Sequence, residues 1–136
     1  MIAIISCGKL KQSKPCQAKD MYTGSYHRLL QRYALSLCDN VYILSAKYGL
    51  LSLADKIEPY ELRLDQDGCI DSKTLKRQVL QKGLENENII ALGGKDYVKL
   101  IKQVWQKVEC PLDGIGGIGK QMKWLNEKLS RQERLF

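Results

Sequence analysis

Continuous apolar runs alternate along the chain with stretches whose apolar residues recur at helical spacing. Ile2 to Ile5, Val41 to Leu44 and Asn88 to Leu92 are short runs rich in β-branched residues, the pattern of strands buried on both faces of a parallel sheet. Cys110 to Leu112 is a shorter fourth candidate. Thr23 stands where it can cap a helix from about Gly24 to Cys38, whose apolar stripe holds Tyr26, Leu29, Leu30, Tyr33, Ala34 and Leu37. Ser72 opens a second helix to about Leu84, carried by Leu75, Val79 and Leu80. A third, Tyr97 to about Lys107, turns Leu100, Ile101, Val104 and Trp105 inward, and Lys120 to about Arg131 closes the chain on Met122, Leu125 and Leu129.

This alternation predicts an α/β fold: a single domain over residues 1–136, layered α/β/α, with a central, mainly parallel four-stranded sheet. In open sheets of this kind ligands bind beyond the carboxyl ends of the strands. The rule gathers SCGKLK, SAKYGLL, GGKDY and DGIGGIGK on one edge. One stretch breaks the rhythm. Tyr42 to Leu64 starts as a strand and continues as a long segment dense in polar and aromatic residues, and such long connections are often functional. It is expected to form one wall of a ligand site.

Charge narrows the partner. Lys plus Arg number 22 against 15 Asp plus Glu, a net charge of +7, which favours a phosphate-bearing partner such as a nucleic acid or nucleotide; solvated surface charge is the competing reading. The five cysteines are spread singly, which points to a reducing, cytoplasmic setting and to neither a disulfide framework nor a metal site. No cofactor is indicated. No apolar run approaches the roughly 20 residues that span a bilayer, so no membrane partner is expected.

Candidate chemistry sits after the strands. Ser6, Cys7, Gly8 and Lys9 bring a hydroxyl, a thiol, backbone amides and an ammonium together, although a tight turn with a buried cysteine reads equally well. Cys7 is a candidate nucleophile, with His27 the sole imidazole in the sequence. Gly93, Gly94 and Tyr97 repeat the pattern at the third strand. Gly116, Gly117, Gly119 and Lys120 form a glycine loop at a helix N-terminus suited to phosphate, yet they match neither the P-loop spacing nor G-x-G-x-x-G. In the long segment, Lys47, Tyr48, Glu58, Tyr60 and Arg63 supply a base or acid, two aromatic faces and cations, with Lys47 a catalytic candidate beside Glu58, and Ser45 and Gly49 as substrate-binding candidates. Pro59 holds Glu58 extended, as a carboxylate able to read a base edge or activate water. The structural alternative is that the tyrosines plug the end of the sheet.

The pieces ISCGKLK, MYTGS, LSAKYGLLSLADKIEPYELRL, ALGGKDY and PLDGIGGIGKQMKWL together resemble a small family of domains of unknown function related to the YaaA peroxide-stress proteins. Those proteins carry a similar LSxxYGLL block followed by I-x-P-Y-x-L. The resemblance implies a uracil-DNA-glycosylase-like α/β architecture, DNA binding or protection, and a phage or mobile-element setting. The chain is shorter than YaaA and lacks a G-Q-D-P-Y motif, of which Glu58-Pro59-Tyr60 matches only the end. The expected function is therefore a nucleic-acid- or nucleotide-directed protein with a base and phosphate pocket, including a glycosylase-like or base-modifying form. The alternatives are a non-catalytic DNA-protective protein and a nucleoside-processing enzyme.

Overall fold

The structure, a computed structural model, describes residues 1–134. In chain order the elements are β1 (Ile2–Ser6), β2 (Cys16–Gln17), α1 (Ala18–Met21), α2 (Ser25–Leu37), β3 (Val41–Ser45), β4 (Gly49–Ser52), β5 (Lys56–Ile57), α3 (Ser72–Gln81), β6 (Ile89–Leu92), α4 (Lys95–Val104), β7 (Val108–Glu109) and α5 (Ile118–Arg134). The sheet has five strands in the order β4-β3-β1-β6-β7. All of its pairings are parallel except that of β4 on β3.

The expected sheet of four strands is thus corrected to five, and the extra strand lies inside the segment read as a loop. Ala46, Lys47 and Tyr48 turn the chain so that Gly49 pairs with Ser45. Gly49 adopts φ +76°, a backbone region that glycine enters without a Cβ penalty, and a Cβ there would overlap the Gln78 amide. That amide fastens the turn from α3: Gln78 Oε1 accepts from the Leu50 amide at 2.8 Å and Nε2 donates to the Tyr48 carbonyl at 3.0 Å. Further along, β5 pairs antiparallel with β2 in a small second sheet, so only the chain from Glu58 to Asp71 remains irregular. The fourth candidate strand is also displaced. Val108 and Glu109 pair with β6, whereas Cys110 accepts from the amide of Asp113 in a turn.

Helix starts shift for local reasons. Gly94 caps α4, which starts at Lys95, two residues before the expected start at Tyr97, and Gly24 rather than Thr23 caps α2. Asp71, not Ser72, caps α3 by accepting from the Thr74 amide at 2.8 Å. At the far end of α4, Trp105 leaves the helix and donates its indole N–H to the Leu84 carbonyl at 2.9 Å.

Alternate residues of β1 enter different cores. Ala3 and Ile5 pack with Leu30, Tyr33 and Ala34 of α2 and Leu125 of α5, while Ile2 and Ile4 pack with Leu75 and Val79 of α3 and Leu100 and Ile101 of α4. From β1 the chain runs outward through α2 to β3 and β4, then crosses back through α3 to β6 on the other side of β1. The order of strands therefore reverses at β1. The connections after β1 and β6 depart toward different helices and leave a crevice between them. Among the described residues, no helix is long and apolar enough to cross a membrane.

Candidate functional site

At the crevice between β1 and β6 lies a cavity of about 760 Å³. Cys7, Lys9 and Lys11 reach it from the connection after β1, Glu61, Arg63 and Asp65 from the irregular segment before α3, and Asp96 and Tyr97 from the first turn of α4. Its ions balance, with Lys9, Lys11 and Arg63 against Glu61, Asp65 and Asp96. The Cys7 amide donates to the Leu44 carbonyl at 3.0 Å, and its Sγ lies 3.1 Å from the Tyr97 hydroxyl. Burial, and then the nearby Cys7, push the Tyr97 phenol far above its ordinary pKa, so it remains protonated.

Gly93 makes the crevice narrow. With φ +139°, it lets the end of β6 press against Ser6, where any Cβ would collide with the serine side chain. The Gly94 amide then donates to Ser6 Oγ at 3.4 Å. Lys11 sits 4.6 Å from the centre of the Tyr60 ring. Burial lowers its pKa, and the neighbouring Cys7 and Glu61 act in the opposite direction.

Beneath this cavity runs a chain of hydroxyls. Ser45 Oγ accepts from the amides of Lys47 at 3.2 Å and Tyr48 at 3.0 Å. With both lone pairs engaged, Ser45 donates to Tyr60 at 2.6 Å, and Tyr60 in turn donates to Tyr22 at 2.6 Å. Burial raises both phenol pKa values far beyond the ordinary range, so the chain stays protonated. His27 is 2% exposed. Its Nδ1–H donates to the Ser6 carbonyl at 2.9 Å, and its Nε2 accepts from Gln31 at 3.4 Å. Burial lowers its pKa to about 4 against the opposing Ser6 bond, which makes it a neutral brace for the end of β1.

A second cavity, about 670 Å³, opens between α4 and the connection from β7 to α5. Lys95, Lys99 and Lys102 line it from one stripe of α4, at spacings of four and three residues. Asp113 is its one carboxylate, which leaves an excess of two positive charges among the lining residues. Gln121 braces the facing loop: its Nε2 donates to the Gly116 carbonyl at 2.9 Å, and its Oε1 accepts from Tyr26.

The predicted residues therefore separate. Cys7, Gly8, Lys9 and Tyr97 meet at the first cavity, and Gly93 and Gly116 line the second. Ser6, Ser45 and Tyr60 are buried supports, so Tyr60 does not present a free face for stacking. Lys47 is exposed with its ammonium 5.2 Å from the Tyr48 ring centre, and Tyr48 packs edge-on to Tyr60. Glu58 is exposed; its backbone is held by the Tyr48 hydroxyl, and its carboxylate lines neither cavity. Gly117, Gly119 and Lys120 are exposed around the start of α5 and line neither cavity. Lys11, Glu61, Asp96, Lys99 and Lys102 were missed as site residues. The helical period of α4 carried a signal for the lysines, whereas nothing local marks Glu61.

Two comparisons bear on kinship. The model of a family described as "Family of unknown function (DUF6884)" matches residues 2–127. The Uncharacterized protein YfjM of Bacillus subtilis (strain 168) is 31% identical over 147 residues, an alignment covering 98% of each chain.

Proposed function

The chain belongs to DUF6884, a family of unknown function, and on that premise we propose a nucleotide- or nucleic-acid-directed protein whose base pocket is the cavity between β1 and β6. The observation that carries the reading is the cavity's position at the reversal of strand order, where open α/β sheets bind ligands. Its volume lies within the roughly 300–1,000 Å³ of small-molecule sites. The Tyr97 ring offers a stacking face, Asp96 and Glu61 accept from base N–H groups, and Lys9 and Lys11 meet a phosphate.

The catalytic form of this reading, glycosylase-like or base-modifying, requires a carboxylate beside the base. In that form Glu61 and Asp96 take the role first given to Glu58, because they line the cavity. The excess positive charge of the second cavity favours another reading, a DNA-protective protein that acts without chemistry. We include in the proposal kinship with the YaaA proteins, helix layers on both faces of the sheet, and a cytoplasmic setting in keeping with the five free cysteines.

Calorimetric titration of mononucleotides tests the pocket. Tyr97→Ala is expected to weaken binding at least about tenfold, the loss of one stacked base, while Tyr97→Phe retains it. No measurable binding to any mononucleotide, or equal binding by Tyr97→Ala, would overturn the reading.

A further inference from the structure

Residues 95 to 97 send their side chains to different cavities. Lys95 lines the lysine-rich one, while Asp96 and Tyr97 line the charge-balanced one. Successive helical residues point about 100° apart, so the first turn of α4 forms the partition between two sites on one edge. From Lys95 the basic stripe continues through Lys99 to Lys102, about 10 Å along the helix axis at 1.5 Å per residue. At the roughly 3.4 Å axial rise of a strand in stacked, B-form geometry, that length is on the scale of about three nucleotides. All three lysines are exposed, and no salt bridge joins them to a carboxylate among the described residues. The facing wall contributes Gly114 and Gly116, where small residues admit a backbone close to the lysines.

We propose that the partner is a single-stranded nucleic acid, with one base in the cavity beside Tyr97 and the adjoining phosphates along Lys95, Lys99 and Lys102. This rests on the base-pocket reading and adds to it that a strand, not a free nucleotide, is the ligand. Charge balance leaves the first cavity only Lys9 and Lys11 for the base's own phosphate, and no excess charge for the phosphates of neighbouring nucleotides. The second has the cations and no aromatic ring among its lining residues to stack a base. A strand crossing the partition uses both.

The test is fluorescence anisotropy with a labelled oligodeoxythymidylate and its oligouridylate counterpart, each across a range of salt concentrations. With three phosphates neutralised, the logarithm of the association constant falls with the logarithm of salt at a slope of about −2. The double variant Lys99→Gln, Lys102→Gln is expected to bind at least about tenfold more weakly and to show a slope of about −0.7. Its thymidine or uridine monophosphate affinity stays that of the wild type. Preference for one oligomer identifies DNA or RNA as the strand, and equal binding identifies the shared backbone. Unchanged oligomer affinity and salt slope in the double variant would overturn the inference while leaving the base pocket standing. If the base pocket alone fails, the monophosphates do not bind and Tyr97→Ala leaves oligomer binding intact, whereas the lysine effect persists.

Discussion

The two cavities flanking α4 have similar size and opposite construction. The one at the β1–β6 crevice balances three cations with three carboxylates and stands on buried groups whose hydrogen bonds are fixed from below, by Ser45, Tyr60, Tyr22 and His27. The other is built from exposed lysines and a glycine loop, braced by Gln121 alone among the side-chain bonds described. Recognition of a particular group needs donors and acceptors held in place and partly removed from water. Attraction of a polyanion needs only net charge, and tolerates long, mobile side chains. On the proposed reading, the difference gives discrimination to the first cavity and anchoring to the second.

The largest effect on this pairing is expected at the joint they share. Gly93→Ala forces a side chain into Ser6 and into an unfavourable backbone region, and should cost about 3 kcal/mol or more of stability, read by urea denaturation. A well-folded variant of unchanged midpoint would mean that the crevice is looser than described.

Next comes the pH response of the first cavity's foundation. Above pH 6.5 His27 is neutral in both folded and unfolded chains. Between 6.5 and about 4 the unfolded chain takes up a proton that the folded chain refuses. Stability therefore falls as pH falls through that window, by on the order of 3 kcal/mol once the pH is below both values. Urea midpoints across the window check it, with His27→Gln as the control that should flatten the response.

The smallest effect is expected at Glu58, the carboxylate of the Glu58-Pro59-Tyr60 segment. Glu58→Gln removes an exposed carboxylate that lines neither cavity, and should change stability by less than about 0.5 kcal/mol while leaving nucleotide titrations unaltered. A marked loss of nucleotide affinity would move the site toward the hairpin end of the sheet.

How much of this could be read from residues alone follows from the range of the interactions. The strands at Ile2, Val41 and Ile89 and the four longer helices were legible because periodicity is local. β4 was not, although Gly49 marked a turn, because what fastens the turn is Gln78, nearly thirty residues away in sequence. The convergence of Cys7 with Tyr97 followed from the rule that ligands meet strand ends. The division into two cavities did not, since it depends on which way each side chain of α4 turns once Leu100 and Ile101 are buried. The sequence offers Gly49 and Gly93 as ligand contacts, but Gly49 is buried and lines neither cavity, and the structure gives packing reasons for both.

Each cavity contains its own reporter, Cys7 in the first and Cys110 in the second, both partly accessible thiols. The rate of alkylation of each, resolved by peptide mass spectrometry, tests the division directly. A mononucleotide is expected to slow Cys7 and leave Cys110 unchanged, and a single-stranded oligonucleotide to slow both. A mononucleotide that shields Cys110 but not Cys7, or shields neither, would contradict the assignment of the base to the β1–β6 crevice.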